Sequence, residues 1–264
     1  MEKHEKIIRL AESALMLAAA TILSLIKLIN LPYGGSVTAC SALPLLLIAY
    51  RYGWRRGMLV GTAFGLLTMM LDGAVLSYCP TALSAAAVIL LDYLLAFAAT
   101  GLGGLFRGKP QDKALVLGAL VAGLTRYACH VISGCTVWAG LSIPTRQAWL
   151  YSLAYNATYM LPELLVTLLG CRCFAALVDI SGARPRRAKR TTDAGGIFRT
   201  AAVGAAVAAG IADVTLIFAH LQDAATGVFS FAGLRAVPWL TVAVITAAAG
   251  LIAGALLLWA RRRK

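Results

Sequence analysis

The chain has 264 residues, 60% of them hydrophobic and only 13% charged, with a formal net charge of +13. That balance excludes an ordinary soluble domain and points to a protein that crosses a membrane several times. The positive charge does not point to nucleic acid, because Lys and Arg gather in short links between apolar runs, the pattern of loops retained on the cytoplasmic side.

Windows of about 20 residues fit about eight spans. The first apolar run, Ile8 to Leu31, is long and lacks a convincing cleavage site, so it is expected to remain as a span. Ala14, Ala18, Ala19 and Ala20 give it a small-residue surface that admits another helix closely, either from within the protein or from a partner. An uncharged turn, Leu31-Pro32-Tyr33-Gly34-Gly35-Ser36, leads to a second span, Val37 to Tyr50, with Pro44 inside it, and then to the basic turn Arg51 to Arg56. Gly53, Gly57, Gly61 and Gly65 recur every four residues and predict a close-packing stripe at the start of the third span. No GxxxxGK[ST] pattern follows, so the stripe is not a phosphate loop. Asp72 falls near the outer end of the third span. The fourth, Ala82 to Phe106, carries Asp92-Tyr93 in an otherwise apolar run and ends at the basic loop Arg107 to Lys113.

The fifth and sixth spans carry the densest chemistry. Arg126, His130, Gly134 and Trp138 are spaced by four, which keeps them on one broad helical face. After the polar link Ser142 to Gln147 come Tyr151, Tyr155, Asn156, Tyr159 and Glu163. A basic stretch from Arg172 to Arg190 follows, and then two Ala- and Gly-rich segments, about Thr200 to Ala219 and Val237 to Trp259, in the first of which Asp213 is the sole acid. The alternation of basic and uncharged loops places both termini inside. The six cysteines, Cys40, Cys79, Cys129, Cys135, Cys171 and Cys173, lack metal-ligand spacing and read as small buried residues, so no metal or cofactor is expected.

Depth brings three polar groups together. Asp92, His130 and Asn156 each fall about nine or ten residues below the outer end of their helix, about 13–15 Å at ~1.5 Å per residue. Tyr93, Gly134, Trp138 and Tyr151 fall at or above that level. A carboxylate, an imidazole, an amide and several rings would then converge in an outward-facing pocket suited to a planar, nitrogen-rich cation. The competing readings are interfacial aromatic anchors and a histidine that serves only to bond two helices. Arg126 and Glu163 come out deeper and are expected to form a buried ion pair beneath the pocket.

His130-x-x-x-Gly134-x-x-x-Trp138, then Tyr151-x-x-x-x-Asn156, with Asp92-Tyr93 upstream, resembles the thiamin-specific S component of energy-coupling-factor transporters. The turns at Leu31 to Ser36 and Arg51 to Gly53 are similar to that family too, and the likeness runs to about Val178. The resemblance implies an all-α six-helix module of the plasma membrane, without enzymatic activity, that binds thiamin from outside with high affinity. It also implies a transmembrane T component and two cytoplasmic ATPases as partners, with Ala14 and Ala18 on the docking face of the first helix. By the same resemblance Asp92, Tyr93, His130, Gly134, Trp138, Tyr151 and Asn156 contact the ligand, and Tyr33 stands where the family has a tryptophan. Asp92 replaces the family's glutamate and must reach ~1.5 Å further. The expected organisation is a binding module over residues 1–180, a basic linker over 181–198 and an additional transmembrane hairpin over 199–264. The rival readings are a self-sufficient ion-coupled transporter of a small aromatic cation, a carrier of a thiamin precursor, and an intramembrane enzyme using Asp92 and His130 as acid and base.

Overall fold

A computed structural model of the chain describes residues 2–30, 35–71, 73–139, 145, 148–182, 184–188, 195–221 and 230–262. The first apolar run forms α1 (Glu2–Leu25) and gives way to a short antiparallel hairpin of β1 (Lys27–Asn30) and β2 (Ser36–Thr38), in which Ile29 pairs with Val37 and Asn30 with Ser36. The hairpin changes the expected second span. Val37 and Thr38 belong to β2, and α2 (Ala42–Tyr52) has only 11 residues. At ~1.5 Å per residue α2 covers about half of the hydrocarbon thickness. Pro44 sits in its first turn, where no amide has an intrahelical acceptor and proline does no harm.

Gly53, with φ +91°, turns the chain sharply into α3 (Trp54–Leu71). The glycine stripe lays α3 directly on the backbone of α4 (Ala82–Phe106): a methyl group at Gly61 or Gly65 would overlap the carbonyls of Phe97 and Tyr93. The helix α4 is composite. Thr81 and Ser84 close a capping box at its start, Ile89–Leu95 widens into a π-helix, and Ala99–Phe106 tightens into a 3₁₀ helix.

Next come α5 (Gln111–Thr136) and α6 (Ala148–Leu177), which pack side by side. Two side chains stitch them together: Tyr127 Oη donates to the Leu153 carbonyl and Ser152 Oγ to the Val131 carbonyl, both at 2.8 Å. A second small hairpin, β3 (Val178–Asp179) with β4 (Arg186–Arg187), is held to the start of α5 by Gln111. Its amide donates to the Val178 carbonyl and accepts from the Ile180 amide, each at 2.7 Å. At that same end Arg51 pairs with Glu12 at 2.6 Å and donates to the Ile180 and Gly182 carbonyls, so basic residues that read as topology signals also tie α1 to α2.

Finally α7 (Gly195–Leu221) packs along α6, and α8 (Trp239–Arg262) rests mainly on α7, burying only Ala260. The acid of the hairpin, Asp213, accepts from Thr246 Oγ1 at 2.6 Å and joins the two helices. Among the described residues six helices are long and apolar enough to cross a membrane: α1 and α4 to α8. The expected eight spans thus resolve into those six, with α2 and α3 as shorter members of a six-helix bundle, α1 to α6, followed by the hairpin.

Candidate functional site

The polar groups of α4, α5 and α6 meet inside the helical bundle. Asp92 lies in the π-helical segment of α4, whose extra residue per turn re-aims side chains and recurs at functional sites. Its Oδ1 lies 2.8 Å from His130 Nδ1, and its Oδ2 accepts from Ser133 Oγ at 2.6 Å and from Trp138 Nε1 at 3.4 Å. The His130 and Asp92 side chains are only 14% and 15% exposed, so this is a polar cluster withdrawn from water.

Asn156 supplies the third side. Its Nδ2 donates to the His130 carbonyl at 3.2 Å and the Ser152 carbonyl at 2.9 Å, and its Oδ1 accepts from Tyr159 Oη at 2.6 Å. Those partners set the orientation of the amide. The Tyr159 ring stands edge-on to both His130 (centroids 6.1 Å, 67°) and Tyr155 (6.0 Å, 72°), a favoured geometry for ring pairs. Asp92, His130 and Asn156 therefore converge as the depth argument requires.

The other expected site residues divide. Gly134 is buried in the last turn of α5. Trp138 lies beyond the end of α5, not on its continued face; its amide bonds back to the Ser133 carbonyl at 3.3 Å, and this turn swings the indole over Asp92. Tyr93 is buried in the core cluster that also holds Trp138, Tyr155 and Tyr159. Tyr151, in the first turn of α6, has its ring centroid 4.5 Å from that of Phe231. Tyr33 lies outside the described residues, as does Asp72.

The expected ion pair between Arg126 and Glu163 is not made. Glu163 Oε2 instead accepts from the Thr38 amide at 2.6 Å and Oε1 from Thr38 Oγ1 at 2.8 Å. Arg126 is buried with its guanidinium carbon 4.6 Å from the centre of the Phe97 ring, and its Nε has no hydrogen-bond partner. Both residues line a cavity of about 130 Å³ together with Lys27, Ser36 and Thr38. The physical reason is β2, which delivers two donors to the carboxylate, while the arginine is held by the quadrupole of an aromatic face.

Sequence reasoning missed Ser133, Ser152 and Thr38, and singled out Tyr159 without giving it a place in the site. Ser133 and Tyr159 follow His130 and Asn156 by three residues, a spacing that shares a helical face and could have placed them. Thr38 is 125 residues from its partner and carries no local signal.

Chemically, the Asp92 carboxyl group faces His130 Nδ1, the Ser133 hydroxyl and the Trp138 indole N–H, with about one of its roughly four lone-pair directions still free. Beside it stand an amide, an imidazole and several ring faces. A carboxylate and aromatic rings enclosed among membrane helices define a membrane protein that handles a small molecule. Residues 10–177 match the family described as thiamine transporter protein, and the chain belongs to that family. The matched residues include most of α1 and all of α2 to α6. The chain is 34% identical over 179 residues to the thiamine transporter ThiT of Bacillus subtilis (strain 168), covering 63% of this chain and 89% of the relative. The solved structure of ThiT from Listeria monocytogenes aligns with a TM-score of 0.55 at 24% identity, covering 65% of this chain and 94% of that one, and shows the shared fold. The protein is accordingly a transporter, not an enzyme, and a multi-pass protein of the plasma membrane.

Proposed function

We propose that this chain is the thiamin-capturing S component of an energy-coupling-factor transporter. It binds thiamin from outside with high affinity and passes it on through a T component driven by two cytoplasmic ATPases. The observation that carries the reading is the Asp92 carboxylate, held by His130, Ser133 and Trp138 among membrane helices, in a chain whose relative is a thiamine transporter. Asp92 and Asn156 hold the aminopyrimidine, His130 completes its hydrogen bonds, and Trp138, Tyr93 and Tyr151 stack on the rings. Gly134 leaves room beside them, and Tyr33 adds a contact from its turn. The T component docks on the small-residue face of α1, where Ala14 and Ala18 are both exposed.

The test has two stages. The detergent-purified chain is titrated with thiamin while tryptophan fluorescence is followed; saturable quenching at low concentration supports the site, and no response from a folded sample overturns it. The chain is then reconstituted in vesicles with an energy-coupling module. Uptake that requires ATP hydrolysis supports coupling. Uptake without the ATPases, driven by an ion gradient, assigns the protein to the self-sufficient class instead.

A further inference from the structure

The hairpin of α7 and α8 lies beyond the residues that match the family, yet one end of it reaches the candidate site. Phe218, in the last turn of α7, is 6% exposed, with its ring centroid 5.9 Å from that of Tyr155. Tyr155 in turn stands against Tyr159, the residue that bonds Asn156. After α7 the chain returns through a 3₁₀ turn, Phe231–Ala236, and sets the Phe231 ring 4.5 Å from that of Tyr151 at 36°. The turn is built to hold that position. The Ser230 amide donates to the Leu221 carbonyl at 2.8 Å, and Ser230 Oγ accepts from the Ala232 amide at 3.3 Å. Gly233 lies so close to the His220 carbonyl that a Cβ there would overlap it. Phe218 and Leu221 belong to the same buried core as Tyr93, Trp138, Tyr155 and Tyr159, with Phe231 and Tyr151 packed against it.

We infer that this end of the hairpin is part of the ligand site: Phe231 and Phe218 are positioning residues that hold Tyr151 and Tyr155, and so set thiamin affinity and residence time. The inference rests on the function proposed above. Tyr151 sits in the first turn of α6, and a ring fixed before the ligand arrives spares binding the cost of ordering it. At the opposite end of the hairpin Phe198 stacks on Trp259, about 30 Å away along α7 at ~1.5 Å per residue, and provides a control.

The experiment uses the full-length chain in detergent, with thiamin affinity from calorimetry, dissociation rate from stopped-flow fluorescence, and melting temperature recorded for every variant. Phe231→Ala is expected to weaken binding about three- to tenfold, chiefly through faster dissociation. Phe218→Ala is expected to do the same, Phe231→Tyr to stay close to wild type, and Phe198→Ala to match it. The loss must act through Tyr151, so Tyr151→Ala/Phe231→Ala loses no more affinity than Tyr151→Ala alone. Wild-type affinity and dissociation in Phe231→Ala, or losses that simply add in the double variant, overturn the inference. Where Phe231→Ala lowers the melting temperature too far to be titrated, Phe231→Leu keeps the bulk without the ring, and wild-type binding by it overturns the inference equally. A wild-type chain that binds no thiamin removes the functional reading itself and this inference with it.

Discussion

Replacing Asp92 by asparagine keeps the shape of the side chain and removes its charge. Three protein donors face the carboxylate, His130 at 2.8 Å, Ser133 at 2.6 Å and Trp138 at 3.4 Å. An amide offers them one oxygen and one NH₂ group, so one former partner now meets a donor. His130 can relieve that conflict by switching tautomer and accepting at Nδ1, which keeps the cost to folding at about 1 kcal/mol. The effect on the ligand is larger. If the cationic ring lies about 6 Å from the carboxylate that holds the aminopyrimidine, an effective dielectric constant of ~20 makes their attraction about 3 kcal/mol. Losing that attraction weakens thiamin binding by roughly a hundredfold. Asp92→Asn should therefore melt within a few degrees of wild type in detergent while its calorimetric Kd rises about two orders of magnitude. A variant that binds within about threefold of wild type, less than 1 kcal/mol, would refute the placement of this carboxylate against the ligand.

Three further outcomes follow from the same structure. Glu163→Ala strands the buried Thr38 amide and leaves the Thr38 hydroxyl with Ser41 alone, so a loss of about 1–3 kcal/mol is expected, read as a fall in melting temperature, with Glu163→Gln costing less. Gly61→Val forces α3 away from the Phe97 carbonyl and should cost about 1–3 kcal/mol in the same assay. Thiamin affinity should fall with it, because α4 carries Asp92. Ala14→Trp and Ala18→Trp fill an exposed face of α1, so the isolated chain should bind thiamin normally, while ATP-driven uptake by the reconstituted assembly should drop at least about tenfold.

The convergence of Asp92, His130 and Asn156 was legible because helical rise is constant: counting residues from a membrane boundary gives depth, and depth alone brings three helices' polar groups to one level. The glycine stripe was legible for a similar reason, since a residue without a Cβ every fourth position has few uses besides close approach. What stayed hidden depended on departures from regular helix. The π-helix at Ile89–Leu95 has no local signature, and it alters which way Asp92 points. Trp138 lies past the last turn of α5, so a spacing argument placed it near the site but on the wrong element. The pairing of Glu163 failed because the competing donor, Thr38, arrives on a strand in a segment whose apolar sequence reads as part of a span. The contact of the hairpin with Tyr151 and Tyr155 has no sequence signal of its own, since each pair joins residues far apart in the chain.

The attachment of the last two helices has a mechanical consequence. Because α8 rests mainly on α7 and buries only Ala260, while α7 lies against α6, the three are joined in series. A pull applied at the Arg262 end in a bilayer loads one helix-to-helix seam at a time. It should extract α8 first and then strip α7, with the aromatic clasp of Phe218 and Phe231 on α6 giving a distinct rupture before the six-helix bundle itself comes apart.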